Sequence, residues 1–149
     1  MAWSNHGLEL WSWSSTIQNA IARVVTGTNR RQHITTILQQ QLHWLPIRSR
    51  IDYKIAIITF KTLKTGTPAY LANLLQLSTS SATHRRLQLN HSRTAFGRQA
   101  FSHSSATVWN SLPSELTSNF DSVELNLHTC TFRRQLKTHL FKKHFNLNP

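Results

Sequence analysis

Apolar residues recur at helical spacing through the first half of the chain. Ile17, Ala20, Ile21 and Val24 form a stripe behind Ser14-Ser15-Thr16, whose hydroxyls suit a helix start. Gly27 is the natural stop, because glycine accepts the left-handed conformation that ends helices. A shorter helix is predicted over Ile34–Leu42, with Ile34, Ile37, Leu38 and Leu42 inward. Leu45-Pro46 breaks that segment and leads into Ile47–Leu63. There Ile47, Ile51, Ile55 and Ile58 mark one side, while Tyr53, Ile57 and Phe60 widen the apolar surface. The pattern makes this the central helix, buried nearly all round, and Gly66 ends it. Thr67-Pro68 then opens another helix, with Thr67 as N-cap, Pro68 at the first position, and Tyr70, Leu71, Leu74 and Leu75 as the core face.

The pattern changes after the Ser/Thr-rich run 78–84, the best linker in the chain. Arg85–Asn90 alternates polar residues with Leu87 and Leu89, a short strand signal. Arg93–Phe101 sets Phe96 and Phe101 around Gly97, as in a second strand with a bend. Val108-Trp109 falls on a short helix or turn ending near Pro113, and 117–128 reads as a loop. A last helix, about Thr131 to Phe145, carries Phe132, Leu136 and Leu140 on one side, with Arg133, Arg134, Lys137, Lys142 and Lys143 over much of the rest. The expected fold is mainly α: a helical subdomain over 14–77, then a smaller α+β part over 85–149 with a short two-stranded element and a terminal basic helix. Residues 85–145 are expected to pack through Phe96, Trp109, Phe132, Leu136 and Leu140. Residues 1–13, with Trp11-Ser12-Trp13-Ser14, are expected to lie outside the fold as an unstructured or unrelated leader.

Charge turns this helical outline towards polyanions. The 149 residues hold 17 Lys and Arg against 5 Asp and Glu, a net charge of +12. Such an excess attracts nucleic acid above all. The acids are Glu9, Asp52, Glu115, Asp121 and Glu124. Metal-assisted phosphoryl transfer needs clustered carboxylates, so the composition points to binding and away from that catalysis. At 100° per residue, Arg50, Lys54, Lys61 and Lys64 share a stripe about 80° wide on the central helix. Arg85, Arg86, Arg93, Arg98, Arg133, Arg134 and Lys137 would enlarge it into a phosphate-binding surface. Trp44, Trp109, Phe96 and Phe101 have the ring faces that single-strand binders stack on bases, although their apolar neighbours favour core packing.

Other chemistries fare worse. His128, Cys130, His139 and His144 do not have zinc-site spacing, since His128-x-Cys130 is too tight and His139 and His144 diverge on a helix. No metal or other cofactor is expected. There is no Gly-x-Ser-x-Gly elbow for a nucleophile, and no small-molecule substrate is indicated. The single cysteine precludes an internal disulfide and fits a reducing compartment, the cytoplasm or nucleus. No apolar run approaches the length of a membrane span, and the first residues lack the features of a secretory signal.

Three blocks in order carry a family resemblance. The first runs from Gln18-Asn19-Ala20-Ile21-Ala22-Arg23 through Leu42-His43-Trp44-Leu45-Pro46-Ile47-Arg48, Arg50-Ile51-Asp52-Tyr53-Lys54-Ile55 and Thr59-Phe60-Lys61-Thr62-Leu63 to Pro68-Ala69-Tyr70-Leu71. The second is Arg93-Thr94-Ala95-Phe96-Gly97-Arg98-Gln99-Ala100-Phe101-Ser102 with Trp109-Asn110-Ser111-Leu112-Pro113. The third is Phe132-Arg133-Arg134-Gln135-Leu136-Lys137-Thr138-His139-Leu140-Phe141. Over roughly Ile17–Phe145 they resemble the C-terminal region of LINE-type (non-LTR, jockey-like) retrotransposon reverse transcriptases, after the polymerase palm. The chain departs from that pattern at Thr36, Gln39-Gln40-Gln41 and Ala106. The palm's Ala-Asp-Asp motif is absent, and no Asp-Asp pair occurs, so polymerase activity is carried onto no residue. The resemblance implies a non-catalytic fragment that helps hold element RNA or target DNA. The alternative it leaves open is a docking segment for the missing polymerase domain, inactive in isolation.

Overall fold

The computed structural model describes residues 6–78, 86–89, 91–118 and 125–146. Its elements are α1 (His6–Thr26), α2 (Ile34–Thr36) running into a π-helical turn (Ile37–Gln41), α3 (Ile47–Thr65), α4 (Ala69–Ala72), α5 (Ala95–Gln99), α6 (Phe101–Asn110), α7 (Ser114–Ser118) and α8 (Leu125–Phe145). The fold is mainly α, as the apolar spacing predicts. The expected two-stranded element is not seen among the described residues. In its place stands one isolated antiparallel bridge, Leu77 to Leu87. The Arg93–Phe101 segment, expected as the second strand, is helical instead. Thr94 caps it, its Oγ1 accepting a hydrogen bond from the Gly97 N–H at 3.0 Å, and a capped turn of this kind closes a helix rather than a ladder.

The chain forms two compact units, Met1–Ile51 with Leu140–Pro149, and Asp52–His139. The divisions fall within α3 and α8, not at the expected linker, most of which lies outside the described residues.

In the first unit α1 begins at His6, so residues 6–13, expected as part of an unstructured or unrelated leader, are helical. Its inward face also differs from the expected stripe. Gln18 and Ala22 are buried, whereas Ile17, Ala20, Ile21 and Val24 are exposed. Two polar bonds fix this rotation: the Gln18 amide donates to the Leu45 carbonyl at 2.9 Å and accepts from the Ile47 N–H at 3.1 Å. A buried amide that satisfies two backbone groups outweighs a modest gain in apolar burial, because those groups would otherwise be left unpaired. Ala22 then packs with Ile37 and Leu38, and Ile34, Leu42, Trp44 and Phe145 close over them. Gly27 ends α1 at φ 63°, as expected, and the Arg23 guanidinium ties the following turn by donating to the carbonyls of Asn29 and Gln32. The expected second helix is interrupted: only its first three residues are α-helical, and Ile37 and Leu38 reach the interior from the wider π turn.

In the second unit the core centres on a ring stack. Phe60 of α3 and Phe132 of α8 lie nearly parallel with centroids 4.2 Å apart, and Trp109 of α6 tilts against Phe132 at 6.2 Å. Such a pair contributes about 0.5–1.5 kcal/mol beyond its area burial. Ala56, Ala106, Leu112, Leu116 and Leu136 complete the interior. Asn110 fastens the Leu87 segment to α6: its Nδ2 donates to the Leu87 carbonyl at 2.8 Å, and its Oδ1 accepts from the Leu87 N–H at 2.9 Å.

Several local expectations change. Ile58 is exposed on α3. Pro68 is itself the N-cap residue of α4, which has no side-chain cap, and Thr67 bonds back to Thr65. Tyr70 and Leu74 are exposed: α4 ends at Ala72, before Leu74, so no single helix carries the expected face. Part of the expected 117–128 loop is helical, because α7 reaches Ser118 and α8 starts at Leu125, six residues before the expected start. Phe96, expected in the core, is 86% exposed. Phe132, Leu136 and Leu140 are buried, as their i, i+4, i+8 spacing predicts.

Candidate nucleic-acid interface

The predicted basic residues sit mostly outside the ring stack of the Asp52–His139 unit. On α3, Lys54 and Lys61 are exposed on one side of the helix, within an arc of about 20°, and Arg50 is exposed as well. Lys64 does not continue that open row. It is half-buried, with its ammonium 6.0 Å from the Phe60 ring centroid, close enough for a cation–π attraction. Ile57, buried at an angle between Lys61 and Lys64, separates them. In the second unit the stripe is thus Lys54 and Lys61, with Lys64 folded onto the core beside them. Arg50 belongs to the first compact unit and the other two to the second.

On α8, Arg133, Arg134 and Lys137 are all exposed. They occupy an arc of about 100°, next to the buried side made by Phe132, Leu136 and Leu140. The Phe60–Phe132 stack brings α3 into contact with α8, and Lys61 and Arg133 each directly follow one of the two stacked rings in sequence. Arg86 is exposed on a backbone held at two points. Its carbonyl accepts from Ser78 N–H at 2.8 Å, and the next residue is gripped by Asn110. Arg93 and Arg98 are exposed on either side of Phe96 in sequence. Arg85 lies outside the described residues.

The electrostatics follow from the spacing of acids. Between Asp52 and Glu115 the sequence has no acidic residue. Lys54, Lys61, Lys64, Arg86, Arg93 and Arg98 all fall inside that interval, so the sequence around them is basic throughout. A field of one sign over a small surface raises the local concentration of anions.

The aromatic candidates separate cleanly. Trp109 is in the core, Trp44 packs half-buried on the first unit's cluster, and Phe101 is half-buried. Phe96 alone among these four has an open ring. Asn110 and Gln18, which hold the Leu87 backbone and the α1 rotation, do not stand out by spacing. The signal was available in principle: each is a polar residue adjoining apolar ones, Trp109 and Ile17, and a polar group drawn into a core needs a partner.

Among the described residues no helix is long and apolar enough to cross a membrane, and no group of three or more His, Cys, Asp or Glu could hold a metal ion. Cys130 is exposed and forms no disulfide. The chain matches no protein-family model, no curated protein and no solved structure.

Proposed function

We propose that this chain is a non-catalytic nucleic-acid-binding fragment, akin to the region after the palm in LINE-type reverse transcriptases. It would help hold element RNA or target DNA, in the cytoplasm or nucleus. The observation that carries this reading is the set of exposed bases around the Phe60–Phe132–Trp109 stack: Lys54 and Lys61 on α3, and Arg133, Arg134 and Lys137 on α8. The three ordered residue blocks support the same reading. Contacts of this kind go to phosphates, so they set affinity and carry little sequence preference.

A salt titration of binding to single-stranded RNA and duplex DNA, with circular dichroism on the same sample, tests it. If six to ten bases meet phosphates, affinity falls about 10³–10⁵-fold between 50 and 200 mM salt. A folded helical chain that binds neither nucleic acid at low salt would refute the proposal.

A second reading, docking onto a polymerase domain, is favoured by α1. Trp13 (71% exposed), Ile17, Ile21, Val24 (82% exposed) and Val25 span an arc of about 120° on its outer side. Contiguous apolar surface of this kind marks interaction sites. The two readings concern different surfaces and are compatible.

A further inference from the structure

We infer that Phe96 is a stacking platform for an unpaired base, which makes a single strand the preferred nucleic acid. This deepens the proposed function and rests on it.

An exposed apolar side chain is ordinary taken singly. Three features set Phe96 apart. The first is the rigidity of the backbone that presents it. The Ser92 hydroxyl donates to the Thr94 carbonyl at 3.2 Å, and Thr94 Oγ1 accepts from the Gly97 N–H at 3.0 Å. Arg98 N–H bonds back to the Thr94 carbonyl at 3.2 Å, and Ala100 N–H to the Gly97 carbonyl at 3.2 Å. The turn is closed so tightly that a Cβ at Gly97 would run into the Ser92 Oγ and lie 3.0 Å from Thr94 Oγ1. Phe96 is therefore held outward on a braced turn.

The second feature is the charge beside it. Arg93 and Arg98 are both exposed, and the whole interval from Asp52 to Glu115 lacks an acid. The segment that carries the ring is therefore basic, with one exposed arginine three residues before it and another two residues after it in sequence. The third is the ring itself. Stacking on an aromatic face is sequence-tolerant, because every base has a π-face, and it needs that face free. A duplex hides its base faces, so it cannot use this contact.

The experiment uses the full chain, an RNA single strand carrying 2-aminopurine, and a duplex of the same length. Wild-type protein is expected to quench the 2-aminopurine. Phe96→Ala should abolish the quench and weaken single-strand binding about 5- to 150-fold. Duplex affinity, the log–log salt slope and the circular dichroism should stay unchanged, and Phe96→Trp should restore the single-strand affinity. Phe96→Ala with wild-type affinity for the single strand would overturn the stacking assignment and leave the phosphate-binding reading intact. An equal loss on single strand and duplex would also overturn it. A wild-type chain that binds neither nucleic acid would overturn both.

Discussion

Thr59 stands in the middle of α3, fully buried, and its hydroxyl has no hydrogen-bond partner among the described residues. A mid-helix threonine commonly bonds back to the carbonyl four residues earlier, as Thr65 does to Lys61 at 2.9 Å. Desolvating a hydroxyl without that return costs about 1–3 kcal/mol. Valine has the same branched shape and similar helix propensity. Thr59→Val should therefore raise stability by about 1 kcal/mol, read as a higher urea midpoint with an unchanged m-value. A lower midpoint would mean that the hydroxyl finds a partner in solution. Gln18 and Asn110 show the opposite case. Each buries or half-buries an amide and uses both ends of it on backbone groups far away in sequence. Neither partner set was legible from spacing, since Leu45 lies 27 residues from Gln18, and Leu87 lies 23 from Asn110.

At the scale of elements, legibility tracked helix length. The long helices α3 and α8 follow from their apolar spacing, and α3 starts at Ile47 as expected. Gly27 and Gly66, with φ of 63° and 66°, end α1 and α3 where their tolerance of the left-handed region predicts. The misread elements are short or have two competing faces. Over 85–101, alternation was too brief to separate a bridge from a strand, and Thr94 capping decided for a helix. On α1 the more apolar side lost to the side holding Gln18. The basic row of α3 was legible because long charged side chains stay in water, yet Lys64 was not, since its fate depended on the ring beside it. This assigns Lys54 and Lys61 the greater part of any phosphate contact on α3. The double variant Lys54→Glu/Lys61→Glu should reduce the log–log salt slope for RNA binding by about 2 and weaken binding on every sequence alike. Glutamate is a good helix former and both sites are exposed, so helix content should hold. An unchanged slope would remove α3 from the interface.

For the molecule as a whole, two surface properties oppose each other. A net charge of +12 keeps copies apart, while the outer side of α1 offers apolar area that water disfavours. Salt changes only the first. The Debye length is about 10 Å at 0.1 M and about 3 Å at 1 M, so added salt shortens the repulsion and leaves the apolar attraction in place. The isolated chain should accordingly be monomeric at 50 mM salt and associate increasingly towards 1 M, as measured by sedimentation velocity. Ile17→Gln/Val24→Gln removes apolar area without altering charge. It should stay monomeric across that range with the same helical signal. Both sites are solvent-facing, so the substitution costs the core nothing. If the wild-type chain stays monomeric at 1 M salt, the α1 stripe lacks the cohesive area that docking requires, and the docking reading loses its only structural support. If it associates and the double variant does not, the stripe is a surface that needs covering. The same titration would then separate the two proposed functions by sign, since salt would loosen the proposed phosphate contacts of α3 and α8 while it promoted contact through α1.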